Sequence, residues 1–139
     1  MKRFITFEGI DGSGKTTQLN LLLKRLKSAK IKFIVLREPG GTVVSENIRK
    51  ILLDPEKEIT PEAEMMLFLA ARSQMTNEII KPELGNNTFI ICDRYADSTL
   101  AYQGYGREIE TDLVDKLNRI VTLGIDPGCT FYLDIDSEE

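Results

Sequence analysis

The chain contains no histidine. That absence excludes His-based acid–base catalysis, Ser-His and Cys-His nucleophilic pairs, and most catalytic zinc sites. Cysteine is scarce. Cys92 and Cys129 sit in separate apolar runs without metal-ligand spacing, so both are expected to be reduced, buried thiols. No apolar run approaches the roughly 18 residues a membrane-spanning helix needs, so no membrane partner is expected. The first residues pass straight into a strand pattern, Phe4-Ile5-Thr6-Phe7, without the character of a signal peptide. A cytoplasmic protein is the resulting expectation. Positive charge is in deficit as well, with 18 Lys and Arg against 22 Asp and Glu, a formal net charge of −4. A duplex-binding face needs the opposite balance, so no nucleic-acid partner is expected. A small anionic ligand stays open, because a few local donors can hold one.

What is present suits one globular domain. The 139 residues are 42% apolar, enough to bury a core. Residues 3–7 are β-prone and run into Gly9. Leu19, Leu22, Leu23 and Leu26 then recur at helical spacing, which predicts a helix over residues 15–30. A strand is expected at 32–36, a loop at Pro39-Gly40-Gly41-Thr42, and a short helix over 45–53. Thr60-Pro61 marks a helix start, with the helix expected to reach about residue 84. Within it, residues 65–71 are apolar on every face, so this stretch should be buried all round. Either neighbours in the same chain or a second subunit would cover its outer side. Phe89-Ile90-Ile91-Cys92 reads as a buried parallel strand ending at Asp93. Leu113, Leu117, Ile120 and Val121 define an amphipathic helix, and residues 130–135 a last strand. Strands and helices alternate throughout, which predicts an α/β fold with a parallel sheet and right-handed crossovers.

The loop Gly9-Ile10-Asp11-Gly12-Ser13-Gly14-Lys15-Thr16 fits the Walker A spacing, with a strand before it and an amphipathic helix after it. Glycines let successive N–H groups point at phosphate oxygens, and the helix start adds its positive end. Lys15 supplies charge to the β- and γ-phosphates, and Thr16 offers a hydroxyl to Mg²⁺. The loop and the following Thr17 are therefore the expected ATP site. Asp93 suits a second magnesium role, though an aspartate at a strand end also caps turns.

Three further clusters fall where open α/β sheets bind ligands. They are Arg37-Glu38-Pro39-Gly40-Gly41-Thr42, Phe68 with Arg72, and Asp93-Arg94-Tyr95 followed by Asp97-Ser98 and Ala101-Tyr102-Gln103-Gly104. Phe68 and Arg72, four apart, share a helix face that suits a flat base with a polar edge. Phe68 is equally readable as ordinary core. Arg72 is harder to dismiss, since a guanidinium in an apolar stretch needs a partner.

Together with Phe131-Tyr132-Leu133-Asp134, these residues resemble the thymidylate kinase family in order and spacing across the whole chain. The resemblance implies a P-loop NTPase fold of three αβα layers, with four strands here of an expected five. Residues 1–139 would form a single nucleoside monophosphate kinase domain, incomplete at its C-terminal side. It implies transfer of phosphate from ATP, with Mg²⁺, to dTMP, giving dTDP and ADP on the way to dTTP. Phe68 would stack on thymine and Arg72 would bond its edge. Glu38 and Pro39 would border base and sugar, and Arg94 would grip the monophosphate. Asp11 would meet the acceptor sugar and phosphate, making Lys15, Arg94 and Asp11 the catalytic set. Ser98, Tyr102 and Gln103 would close on sugar and base, with Tyr102 where a 2′-hydroxyl would crowd. A homodimer through helices including residues 61–84 is implied too.

Some members carry an arginine inside the phosphate loop. Here that position is Gly12, so the charge would come from a lid beyond residue 139. These residues alone are accordingly expected to be a poor kinase, because losing one such charge lowers rates by about 10³-fold or more. Two alternatives stay beside this reading. One is a related P-loop kinase acting on another deoxynucleotide or a deoxynucleoside. The other is a nucleotide-binding module without turnover.

Overall fold

The continuous apolar run at residues 89–92 becomes an inner strand of the sheet. In the computed structural model, which describes residues 3–136, four strands form one sheet. They are β1 Phe4–Glu8, β2 Phe33–Arg37, β3 Phe89–Asp93 and β4 Cys129–Tyr132, all parallel, in the order β2-β3-β1-β4. Arg37 lies opposite Asp93, and Phe7 opposite Asp93 on the other side. The C-terminal ends of the three strands are thus level, and the loops that follow converge. Chain leaves β1 and β3 in opposite directions, which opens the crevice where such sheets bind ligands.

Side-chain alternation along the strands builds a core on each face. Phe7 and Ile91 pack with Leu19 of helix α1 (Lys15–Ser28), joined by Leu22, Leu23 and Leu26. On the opposite face Phe4, Ile90 and Cys92 pack with Leu36, Met75, Ile80 and Tyr95. Each fully buried side chain of this size contributes about 1.5–3 kcal/mol. Helices on both faces make the three αβα layers of a P-loop fold, as the sequence leads one to expect.

Helix α2 (Val43–Leu52) starts two residues earlier than its apolar pattern suggests, because Thr42 caps it by accepting from Ser45 N at 3.0 Å. Ser45 Oγ in turn donates to Ala71 O at 2.8 Å, docking α2 on α3 (Pro61–Met75). The predicted helix to residue 84 exists but is not uniform. A π-turn, Thr76–Ile80, separates α3 from α4 (Lys81–Gly85). Pro82 has no N–H for the Glu78 carbonyl and its ring crowds that group, so the wider turn relieves the clash. A short α5 (Ala96–Thr99) runs into a second π-turn, Leu100–Tyr105, and α6 (Thr111–Val121) follows.

Four expectations need correction. The second strand lies one residue further on, at Phe33–Arg37, and the last is shorter, at Cys129–Tyr132. Cys129 is exposed, because β4 is an edge strand; only Cys92 is buried. Residues 65–71 are not buried all round: Met65, Leu69 and Ala71 are, whereas Met66 is 51% exposed and Ala70 is open too. Within one chain, α3 is covered by α2, α6 and the second π-turn, and Met75 at its end reaches the sheet core. On α6 itself the inward face runs through Val114 and Asn118, leaving Leu113 and Ile120 exposed.

Candidate functional site

Three glycines of the phosphate loop take positive φ: Gly9 at 142°, Gly12 at 84° and Gly14 at 84°. Only glycine adopts these backbones without strain. At Gly9 the space is closed as well, since a Cβ would sit 2.7 Å from Leu133 O and 2.8 Å from Ser13 Oγ. Gly14 heads α1 in the left-handed conformation, so the loop N–H groups and the helix start face one hollow. Lys15, buried, folds back across this loop, and its Nζ donates to Gly9 O at 2.8 Å and Ile10 O at 2.6 Å. Burial lowers the Lys15 pKa and the nearby Arg94 charge adds to this, while Asp93, Asp11 and Glu8 pull it back up.

A cavity of about 450 Å³ opens here, walled by Gly12, Gly14, Lys15, Thr16 and Asp93 on one side and Asp11, Glu38, Arg49 and Arg94 on another. Asp93 Oδ1 is buried and has no hydrogen-bond partner, an acceptor aimed at nothing in the protein. Thr16 and Asp93 share this cavity, and both are hard oxygen donors that suit magnesium. Among the described residues no group of three or more His, Cys, Asp or Glu is assembled for a metal. An ion here would take its other ligands from phosphate and water. Thr17 is exposed one step further along α1 and lines neither this cavity nor its neighbour.

The second cavity, about 490 Å³, adjoins the first. Asp11, Glu38, Arg49 and Arg94 line both. Phe68, Arg72, Pro39, Ser98, Tyr102 and Gln103 wall the rest. The structure therefore gathers the three separate sequence clusters around one space.

Arg94 sits at the junction. Its φ is +71°, a left-handed backbone that costs a non-glycine residue about 1–2 kcal/mol. The guanidinium donates to Asp11 Oδ1 at 2.6 Å, Ser98 Oγ at 3.2 Å and Tyr102 Oη at 3.4 Å, and lies 5.2 Å from the Tyr102 ring centre. Its position between the cavities is thus set by three residues, Asp11 of the phosphate loop, Ser98 of α5 and Tyr102 of the second π-turn.

Arg72 finds the partner its sequence position demands. It is 1% exposed, and its Nε donates to both Glu38 oxygens, at 3.0 and 2.8 Å. Nη2 donates to Glu38 Oε2 and, at 3.0 Å, to Tyr95 O. Nη1 donates to Asn118 Oδ1 at 2.5 Å. Burial alone would lower the Arg72 pKa, but the Glu38 carboxylate outweighs it and holds the guanidinium charged.

Four residues around the site escaped the sequence reading as functional groups. Arg49 lines both cavities and donates to Pro39 O at 2.9 Å. Asn118 anchors Arg72; its only signal was a polar residue on the inward face of α6. Glu64 bonds Gln103 and Arg107 at the rim of the second cavity. Glu8, 5% exposed, accepts from Tyr95 N at 2.7 Å and Ser98 Oγ at 2.6 Å, so it braces the turn that carries Arg94. A carboxylate at the end of a buried strand was a legible sign that partners must exist.

Glu8 also gives a pH signature. Burial raises its pKa above the ordinary 4.5, opposed by the bonds from Ser98 and Tyr95. The folded chain holds this proton more tightly than the unfolded one. The stability it contributes is therefore full below pH 4.5 and is lost as pH rises through the raised value. Urea midpoints of the wild type minus those of Glu8→Gln should fall as pH rises through this window, then level off. A difference that stays flat throughout would rule out the burial effect.

Comparison with known proteins shows which family the sequence and fold match. A family model described as thymidylate kinase matches residues 7–139. The chain is 48% identical over 136 residues to a thymidylate kinase of Prosthecochloris aestuarii, covering 98% of this chain and 61% of that one. It is 50% identical over 135 residues to the thymidylate kinase of Thermosipho africanus, covering 97% and 67%. The crystal structure of thymidylate kinase from Ehrlichia chaffeensis superimposes with a TM-score of 0.88 at 44% identity, covering 97% of this chain and 77% of that one. The chain spans about three fifths of the length of the first of these relatives.

Proposed function

Because this chain belongs to the thymidylate kinase family, we propose that it forms the site at which ATP passes its γ-phosphoryl group to dTMP. One observation carries this reading: a loop cavity suited to phosphates and a cavity with an aromatic plate share the wall formed by Asp11, Glu38, Arg49 and Arg94. Two ligands placed in them meet at their phosphates, with Arg94 between. One domain, residues 1–139, supplies all of these groups.

The chemistry needs positioning and charge more than proton transfer. An acceptor monophosphate is already an anion at neutral pH, so no strong base is required and the lack of histidine is no obstacle. Lys15 leaves the Gly9 and Ile10 carbonyls to meet the donor phosphates, which the loop N–H groups cradle. Arg94 grips the acceptor phosphate, and Asp11 and Ser98 hold the arginine in line. Phe68 gives the base a stacking surface, with Arg72 at its edge. Magnesium, held by Thr16 and Asp93, would neutralise charge on the transferring group.

A monophosphate acceptor is preferred over a nucleoside because Arg94 and Arg49 both line the shared wall. Calorimetry with dTMP and thymidine, beside chromatographic detection of dTDP from ATP, tests this. Binding of dTMP with little heat from thymidine is expected. Thymidine binding as tightly as dTMP would sink the monophosphate reading.

A homodimer through α3 belongs to the same proposal. It is supported by the exposed Met66 and Ala70 on a stretch, 65–71, that is apolar throughout. Sedimentation velocity should return twice the chain mass; a monomer at micromolar concentration would overturn it. Action in the cytoplasm is proposed from the substrate class. No helix among the described residues is long and apolar enough to cross a membrane.

A further inference from the structure

We propose that Glu64 fixes which way round the Gln103 amide faces the base cavity, and so restricts that cavity to pyrimidines whose edge pairs an N–H with a carbonyl. The inference rests on the reading of this cavity as the acceptor-nucleotide site. It adds a positioning residue that decides specificity without touching the base.

Glu64 lies in the first turns of α3, with its side chain 19% exposed. Gln103 is 4% exposed in the second π-turn. Its Nε2 donates to Glu64 Oε1 at 2.8 Å. Arg107 donates to the other oxygen, Oε2, at 3.0 Å. Burial on its own would raise the Glu64 pKa, but the bonds from Arg107 and Gln103 outweigh it and hold the carboxyl below its ordinary value. An ionised carboxylate only accepts. Gln103 must therefore turn its NH₂ toward Glu64, and its Oε1 points away. That oxygen has no hydrogen-bond partner among the described residues and is not fully buried, and Gln103 lines the base cavity.

Arg72 supplies the complementary group in the same cavity. A guanidinium has five N–H donors. Here Nε is committed to Glu38, Nη2 to Glu38 and Tyr95 O, and one N–H of Nη1 to Asn118. One N–H of Nη1 is left over. Beside Phe68, the cavity thus presents one donor from Arg72 and one acceptor from Gln103. Thymine and uracil present O4 next to N3–H, which satisfies both. Cytosine presents an amino group next to a bare ring nitrogen. It sets donor against donor and acceptor against acceptor, leaving buried groups unpaired.

The terminal torsion of a glutamine is soft and roughly two-fold, so the amide has no fixed orientation of its own. Glu64 removes that freedom. A glutamine in its place could bond Gln103 either way round, and an alanine would not constrain it at all.

The test titrates wild type, Glu64→Gln and Glu64→Ala with dTMP, dUMP and dCMP by calorimetry. Wild type should bind dCMP about 100-fold or more weaker than dTMP. In both variants the dTMP-to-dCMP affinity ratio should fall by about tenfold, as one mismatch is relieved. The dTMP-to-dUMP ratio should not move, because the two share the same edge. A merely structural Glu64 would weaken all three together and keep the dTMP-to-dCMP ratio, which overturns the proposal. Wild type that binds none of the three overturns the acceptor-site reading beneath it, and the proposal with it.

Discussion

Glu38→Ala should lower the unfolding free energy by about 3–5 kcal/mol. Glu38 and Arg72 are 5% and 1% exposed at their side chains and meet through Nε and Nη2. Without Glu38, the guanidinium keeps only Asn118 and the Tyr95 carbonyl as partners and stays buried as an uncompensated charge. Replacing both partners with apolar residues of similar size, Glu38→Leu with Arg72→Met, removes that charge altogether. The double variant should be near neutral, or more stable than wild type by up to about 4 kcal/mol. Urea unfolding of Glu38→Leu, Arg72→Met and the double variant closes the cycle, with an unchanged m-value confirming that stability alone has moved. A Glu38→Ala cost under about 1 kcal/mol would mean that the pair is hydrated rather than buried. If Arg72 meets the base edge as proposed, the double variant should nonetheless lose its preference for dTMP over dCMP, since its guanidinium is gone.

The second large effect is on chemistry. Arg94→Gly should cut dTDP formation by about 10³-fold or more and weaken dTMP binding by about 100-fold, as several charge-assisted bonds to the acceptor phosphate disappear. Glycine is the informative replacement, because Arg94 holds φ at +71°. Removing the side chain there also removes a backbone strain of about 1–2 kcal/mol. Within the protein the guanidinium bonds an exposed Asp11 and two hydroxyls, and giving up these weak partners offsets that gain only in part. Stability should therefore hold or rise slightly while activity collapses. Arg94→Ala should lose as much activity and also keep the strain. Arg94→Lys should fall between, since an ammonium restores charge without the guanidinium fork. If Arg94→Gly keeps dTDP formation within tenfold of wild type, Arg94 does not bridge the two phosphates.

How far the site could be read in advance depended on how local each part is. The phosphate loop needs only a strand, spaced glycines and a helix start within one short stretch, so Gly9 to Thr16 was legible as it stands. Arg72 was legible as a problem, a charge in an apolar helix, but its solution was not. Glu38 lies 34 positions away and Asn118 lies 46 away, and nothing in a linear pattern joins them. Glu8, a carboxylate ending a buried strand, showed only that some partner must exist, and Glu64 looked like an ordinary acidic residue of a helix start. Their roles exist only because Ser98 and Gln103 arrive from another loop.

Residue types and spacing by themselves determined the layered α/β fold, the phosphate loop and the clusters that would face it. Those features follow from hydrophobic period and from glycine and helix-start chemistry, which act over a few neighbouring residues. Only the tertiary structure decided which charges neutralise each other and that one wall of four residues serves two cavities. It also decided which side of α3 stays uncovered, and that Cys129 lies open on an edge strand. Each of these depends on distances between segments that are far apart in the chain. Such distances are set when the whole sheet closes, and no local preference encodes them.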